Sequence, residues 1–497
     1  MTQHRRGTPR TQTALLPAAI EDYVGKDALV RVIDAYVEGL DLLGLGFTKS
    51  VPKVEGRPPY APADLLKLYL YGYWNRVRTS RRLEAECRRN LEVMWLLGEL
   101  VFDHKTIADF RRENAQAFKA VCAQFVQFLR AAELVGGEVP VVAVDGSKFK
   151  ASAAKASLLD AKQVAQQRAR IEQRVAQYLA QLDEADRQEH GEGEPDSARI
   201  EAALRQLRER DERLQQAQTE LAAKAQAAAG KEGTPRVGLT DADCVMLKPT
   251  GGAAMAGYNV QQAVEAQHKF IVAHEVGTQR NDHASLEPIA CQAQQALGVR
   301  SMIAVADSGY MNGAQSEGCE QNGITAVVPM ARAANTEGQQ FYPKTQFIYD
   351  RDTDTYRCPA GELLQRYKRD RQAQTDYYWT RACERCVHKP HCTPGKRRSI
   401  ARSWYAEAAE RAHERAAQNP GLMRLRSATV EHVFGNLKAM LSGGFVVRTL
   451  AKVRAEMALA VLTYNLKRAL SVLGFEQLMS KLKMGIVPSG ACPEANR

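Results

Sequence analysis

From residue 61 to about residue 132 the apolar positions recur at helical spacing. Pro62 stands where a first helical turn begins, and Leu65, Leu66, Tyr69, Leu70 and Tyr73 follow on one stripe. Thr106 with Asp109 three residues on reads as a capping box that opens a later helix. A shorter helix is expected over 27–43. The period then changes. Residues 138–144 (EVPVVAV) are rich in β-branched valine and run into Asp145. Residues 258–264 and 269–276 read as a strand pair, 283–297 as a helix, 301–306 as a short strand ending at Asp307, and 324–329 as a further strand. The pattern is α/β with a mixed sheet.

Two stretches interrupt that sheet. Residues 157–230 carry Leu at helical spacing among Ala, Gln, Glu and Arg, broken by the polar run HGEGEPDS at 190–197, so a coiled-coil-like helical hairpin is expected. Residues 331–400 are polar and hold a cysteine cluster, and 403–472 return to helix.

Length and charge narrow the class. The 497 residues are ample for a buried core and suggest about three domains, or one core with large insertions. With 45% hydrophobic and 25% charged residues, wholesale disorder is excluded. Lys and Arg number 68 against 57 Asp and Glu, a net +11 that suits a polyanion partner. No apolar run approaches the roughly 18 residues of a membrane span, and the basic start lacks a signal peptide's apolar stretch. The ten cysteines are unevenly spread, which points to a reducing cytoplasm rather than a disulfide framework.

Three acids are the candidate chemistry. Asp145 and Asp307 each follow an apolar strand, and Glu431 lies on an amphipathic helix, TVEHVFGNLKAML. A carboxylate just past a buried strand sits on a stiff scaffold at the sheet's rim, within a ligand's reach. Alone, such an Asp is commonly a turn residue or a helix cap. Together the three would hold two Mg²⁺ ions about 4 Å apart, one activating a water or 3′-hydroxyl and one stabilising the leaving oxygen of a phosphodiester. Val430, Phe434 and Leu437 form the apolar stripe of that helix. Glu431 and Lys438 share a face about 10 Å apart along the axis, with Gly435 between them, open to a DNA backbone, and Lys438 placed to meet a phosphate.

DGSKFKA (145–151), ADSGY (306–310) and VEHVFGNLK (430–438), in this order, resemble the three catalytic blocks of DDE transposases from bacterial insertion sequences. The subgroup they look most like is the IS-eleven-eighty-two family. Residues 58–100 and 104–118 resemble the helical N-terminal domain of such enzymes, and YNVQQAV, NDHASLEPI and LTYNLKRAL also fit, so the resemblance covers about 58–470. It implies an RNase H-like core, a mixed sheet flanked by helices, in which Asp145, Asp307 and Glu431 are the catalytic acids holding Mg²⁺, or Mn²⁺ in its place. Lys438 matches the lysine that follows the glutamate. One position departs: related enzymes often carry an arginine four residues before the glutamate, where this chain has Ser427, with Arg426 and Arg424 nearby as substitutes.

The expected division is a helical DNA-binding domain over 1–135, the first core strand over 136–156, the hairpin insertion over 157–235, the core again over 236–330, the cysteine-bearing insertion over 331–400, completing helices over 401–475 and a flexible tail over 476–497. The implied activity is cleavage at terminal inverted repeats and joining of the 3′-hydroxyl ends to target DNA, by a homo-oligomer on double-stranded DNA, in the cytoplasm and at the nucleoid when acting, with no membrane partner. The alternative is a cleavage-inactive DNA-binding regulator or domesticated structural protein derived from a transposase; three intact acids weigh against it. Another RNase H-like nuclease, such as a junction resolvase, is disfavoured by the basic helical module.

Cys383 and Cys386 have the C-x-x-C spacing that presents two thiolates to one tetrahedral Zn²⁺. Cys358 and Cys392 would complete a Cys₄ site that staples an insertion with little core of its own, with His388 and His391 in reserve. Free thiols or a redox pair are the other readings. The remaining cysteines are scattered and read as structural. Arg76, Arg78, Arg81, Arg82, Arg88 and Arg89, with Arg111 and Arg112, are candidate phosphate contacts, as are Lys148, Lys150 and Lys155 near the first acid and Arg426 near the third. Tyr69, Tyr71, Tyr73 and Trp74 read as packing. KRRSIAR (396–402) is a second basic run. Asp282 and His283 are expected to cap the following helix, and His432 to be structural.

Overall fold

The structure, a computed structural model, describes residues 19–51, 58–187, 197–227, 234–249, 251–330 and 341–485. Six helices come first: α1 (Leu29–Glu38), α2 (Pro62–Trp74), α3 (Ser80–Arg89), α4 (Leu91–Leu97), α5 (His104–Glu113) and α6 (Ala115–Ala131). Pro62 opens α2 as its first residue, where its missing N–H costs nothing. Leu65, Leu66, Tyr69, Leu70 and Tyr73 are all buried, and so is Tyr71, which makes α2 the centre of this module. The cap of α5 is Asp103, not Thr106. The Asp103 carboxylate accepts from the backbone N–H groups of Lys105 and Thr106, both at 2.9 Å, and from the Thr106 hydroxyl at 2.7 Å. Thr106 thus sits inside the first turn with its own hydroxyl engaged.

The chain continues through β1 (Val141–Lys150), β2 (Leu158–Leu159), α7 (Ala161–Arg187), α8 (Ser197–Ala227), β3 (Val237–Gly238), β4 (Val245–Leu247), β5 (Met255–Glu265), β6 (Ile271–Gly277), α9 (Leu286–Leu297), β7 (Met302–Val305), α10 (Gly313–Gln321) and β8 (Ile324–Val327). The main sheet is mixed, in the order β6–β5–β1–β7–β8, with β4 on the start of β5. β5 is antiparallel to β1 and β6, whereas β7 and β8 run parallel to β1. β1 does not stop at Asp145, because β5 offers it a ladder as far as Lys150 opposite Gly257. Its parallel pairing to β7 ends at Ala143. Asp145 therefore lies just past the point where β7 leaves the strand.

α7 and α8 pack through Val164, Ile171, Leu214 and Leu221, and Arg168 bonds Asp211 across the pair at 2.9 Å. β2 and β3 close its base. All of the expected polar break but Ser197 falls outside the described residues.

The cysteine-bearing stretch is an antiparallel sheet of its own: β9 (Ile348–Asp350), β10 (Thr355–Arg357), β11 (Leu363–Asp370), β12 (Thr375–Trp379) and β13 (Ile400–Ser403). Contrary to the expectation of little core, Phe347, Tyr356, Leu364, Tyr378 and Ile400 pack into a buried cluster on one face. Four helices follow: α11 (Ala406–Gln418), α12 (Pro420–Met440), α13 (Leu450–Leu473) and α14 (Phe475–Lys483). α13 is buried along most of its length against α2, α6 and β6, joining the N-terminal module to the sheet. The expected tail is partly ordered, because Leu478 and Leu482 of α14 bury their side chains. No described helix is long and apolar enough to cross a membrane.

Candidate active site

α12 lies along β1, with Phe434 packed on Phe149 at 6.3 Å between ring centroids. Val430, Val433, Phe434 and Leu437 are buried on the helix side that faces the sheet. Arg426 projects from that same side. Its Nη2 donates to Asp145 Oδ1 at 2.9 Å and to Asp307 Oδ2 at 3.2 Å. The two carboxylate oxygens therefore stand no more than about 6 Å apart, a span that one or two bridging cations can fill. Asp145 shares its strand face with Phe149 by the two-residue period, which is why both meet α12. Asp307 caps the short 3₁₀ turn Ser308–Tyr310, accepting from the Gly309 N–H at 2.8 Å through Oδ1 and leaving Oδ2 for Arg426. Burial pushes the Asp145 carboxyl up to about 6; Asp307 pushes it the same way and Arg426 opposes both. Asp307 is more open, with 44% of its side chain exposed against 21% for Asp145.

Glu431 is exposed, and its carboxylate has no hydrogen-bond or ion-pair partner among the described residues. It stands five residues after Arg426 on α12, about 140° around the axis, so it does not join the pair. It shares its side of the helix with Gly435, whose Cβ position is open space, and with Lys438, whose Nζ lies 6.0 Å from the Phe149 ring. Among the described residues no three His, Cys, Asp or Glu side chains are gathered closely enough to hold a metal ion. The two aspartates nonetheless fit one: both offer hard oxygen donors, and a guanidinium already occupies the place where a cation would bring them together.

A polar network missed by sequence reasoning stands behind this pair. The Tyr310 hydroxyl donates to Gln261 Oε1, the Gln261 amide donates to Asp282 Oδ1 at 2.5 Å, and Asn259 donates to the same oxygen at 2.7 Å. Asp282 is thus not a side-chain cap of α9; only its backbone carbonyl takes the Ser285 N–H, while the His283 carbonyl accepts from Asn312. A Cβ at Gly146 would push into Gln261, Asp282 and the Tyr310 hydroxyl and displace this network. The network ties the turn carrying Asp307 to β5 beside Asp145. Its signal lay in the polar residues at alternate positions of YNVQQAV and in the tyrosine of ADSGY. Gln262, opposite Asp145 in the ladder, is fully buried with both amide atoms unpartnered.

The basic candidates divide. Lys148 and Lys150 have the parity of Gly146, so they lie on the sheet face opposite Asp145 rather than beside it. Lys155 is exposed. Arg78 is no phosphate contact: it is buried, pairs with Glu456 at 2.8 Å and donates to the carbonyls of Gly444 and Ser442 at 2.9 Å each. Arg111 is largely buried over the Tyr69 ring. Arg88, Arg89 and Arg112 pair with Glu84, Glu86 and Asp109. Arg76, Arg81 and Arg82 are exposed, as is Arg424, which takes no part in the aspartate pair. His432 is exposed too, with Asn436 donating to its carbonyl at 2.8 Å.

Cys358, Cys383, Cys386 and Cys392, together with His388, line one cavity of about 30 Å³ in the second sheet's unit. All four are free thiols. Burial raises the Cys392 thiol and the other three thiols add to the rise, as expected of sulfurs that share a small space. Four converging soft donors suit Zn²⁺, although as they stand they are not drawn into a metal-holding group. His391 is exposed. Of the scattered cysteines, Cys87, Cys122, Cys244 and Cys319 are buried and Cys291 is half-buried; Cys492 falls outside the described residues.

Residues 18–113 match the family model "Transposase domain (DUF772)", and residues 357–470 match "Transposase DDE domain". The second match contains Arg426, Glu431, Lys438 and the four clustered cysteines; Asp145 and Asp307 lie outside both. Among solved structures, a piggyBac transposase synaptic complex with hairpin DNA aligns over 94% of this chain and 84% of that one, at 9% identity and a TM-score of 0.23, too loose a likeness to establish a shared fold. No curated protein matches. The two family matches support a DDE transposase of the insertion-sequence type.

Proposed function

We propose that this chain cleaves phosphodiester bonds at the terminal inverted repeats of a mobile element and joins the freed 3′-hydroxyl ends to target DNA, in the manner of the IS-eleven-eighty-two family. The observation that carries the reading is the meeting of Asp145 and Asp307 at one Arg426 nitrogen, on strands far apart in sequence. The strand order β6–β5–β1–β7–β8, with β5 running opposite to the other four, supports an RNase H-like core built around that pair.

Asp145 and Asp307 would hold Mg²⁺ or Mn²⁺, with Glu431 as the third ligand. When bound, the ions supply Lewis acidity that activates a water or 3′-hydroxyl and stabilises the leaving oxygen. Until then Arg426 offsets the repulsion between the two carboxylates. The Tyr310–Gln261–Asp282 network fixes the Asp307 turn against β5, so that the pair keeps its spacing. Lys438, on the open side of α12, meets a backbone phosphate, and Arg81 and Arg82 contact duplex DNA from the N-terminal helices. The chain acts as a homo-oligomer, since two ends must be held together. Zn²⁺ on the four clustered cysteines would hold the second sheet's loops in place.

The direct test supplies a labelled oligonucleotide carrying the element's end, a supercoiled target plasmid and Mg²⁺. Label joined to the plasmid supports the proposal. Stable binding of the end with neither nicking nor joining would reject it.

A further inference from the structure

The unit over residues 342–404 carries fourteen Lys and Arg against seven Asp and Glu, so most of the chain's net +11 resides there. Its sheet has two unlike faces. Tyr356, Leu364, Tyr378 and Ile400 fill the buried face. The other presents Tyr377 and Trp379 at alternate positions of β12, with Tyr367 beside them. Tyr367 sits at a β-bulge in β11, between Arg366 and Lys368, which turns its ring outward. That ring is 52% exposed and packs edge-on against Trp379 at 5.7 Å. Cations border the row: Arg397 lies 3.9 Å over Trp379 and Lys368 lies 5.2 Å over Tyr377. Glu384 and Asp370 pair with these two cations, but Arg385 and Lys396 nearby are exposed and have no ion-pair partner among the described residues.

We infer that this face binds single-stranded DNA. The open Tyr367 ring, braced edge-on by Trp379, offers stacking to a base, and bases present their faces only when unpaired; the cations over Trp379 and Tyr377 suit the backbone that accompanies them. A duplex, whose bases are already stacked, would use the charge and leave the rings idle. The surface deepens the transposase reading, because strand cleavage and joining create unpaired segments next to the reacting ends. It rests on that reading only for the choice of DNA as the ligand.

The test measures fluorescence anisotropy of a labelled 15-nucleotide single strand and of the matching duplex with the full chain, in EDTA so that no cleavage intrudes. Tyr367→Ala combined with Trp379→Ala should weaken single-strand binding about tenfold or more and change duplex binding less than twofold. Tyr367→Phe should retain single-strand binding. If the double variant loses its fold by circular dichroism, Tyr367→Ala alone decides, since that half-exposed ring lies outside the unit's buried cluster; it should weaken the single strand severalfold. Photocrosslinking of a 5-iododeoxyuridine strand should then label Tyr367 or Trp379. Unchanged single-strand affinity, an equal loss for strand and duplex, or crosslinks confined to other residues would overturn this surface while leaving the transposase reading intact. Wild-type protein that binds neither DNA would overturn both.

Discussion

Arg426 Nη2 lies 2.9 Å from Asp145 Oδ1 and within 3.2 Å of Asp307, so one guanidinium on α12 joins the rims of two neighbouring strands. Removing it leaves two carboxylates facing each other without a counter-charge. Arg426→Ala should lower stability by about 1–3 kcal/mol in EDTA, less than a fully buried pair would lose, because Asp307 is nearly half exposed and water screens it. Added Mg²⁺ should restore part of the loss. Thermal melts with and without Mg²⁺ measure both; equal melting of variant and wild type in EDTA would remove Arg426 from this role.

Asp145 gives the pair a pH signature. Its carboxyl titrates near 6 in the fold against about 3.8 when free, mainly because it is buried. Between those values the unfolded chain has lost a proton that the folded chain keeps. The stabilisation from Asp145 is therefore full below pH 4 and is lost as pH rises through about 6. In metal-free buffer, the stability of wild type relative to Asp145→Asn should fall by on the order of 2 kcal/mol between pH 4 and pH 7. A difference that stays flat or rises over that range would contradict the assignment.

Much of this arrangement was legible along the chain, and the reasons for the rest are local. Valine-rich 141–144 and the apolar 302–305 announced buried strands, so Asp145 and Asp307 stood out at their ends. The extension of β1 to Lys150 was not visible, because it depends on β5 supplying the ladder. The second sheet was hidden by brevity: β9, β10 and β13 have three or four residues each, and every strand from β10 to β13 gives the unit's core a single residue. Arg426 was one of two candidates beside Ser427, and its position on the sheet-facing side of α12 separates it from Arg424. Arg78 looked like its neighbours Arg81 and Arg82, since Glu456, which buries it, lies on a helix near the other end of the chain.

That contrast separates folding from DNA contact. Arg78→Ala takes from buried Glu456 its direct ion-pair partner, leaving only the Val446 and Val447 N–H groups and the charge of Arg111, and should cost about 3 kcal/mol of stability, the low end for a broken buried pair. Arg81→Ala with Arg82→Ala should leave stability within about 0.5 kcal/mol and lower the salt dependence of duplex binding by up to about two phosphate contacts. Urea melts and salt titrations of binding check the pair; a stable Arg78→Ala protein with a reduced salt slope would reverse the assignment.

The four clustered cysteines predict bound metal. Elemental analysis of protein purified without chelators should find about one Zn²⁺ per chain, and Cys383→Ser or Cys386→Ser should abolish it. Cys291→Ser, a site remote from the cluster, should not. A metal-free preparation would leave the unit to its aromatic core alone.

The central claim is that Asp145, Asp307 and Glu431 act as one catalytic set, and strand cleavage of an element-end oligonucleotide in Mg²⁺ tests it most directly. Asp145→Asn, Asp307→Asn and Glu431→Gln should each lower the cleavage rate by at least about a hundredfold, with end binding retained in EDTA. Wild-type rates in any of the three variants would contradict the account, most sharply for Glu431, which the fold places on another side of α12 from the aspartate pair.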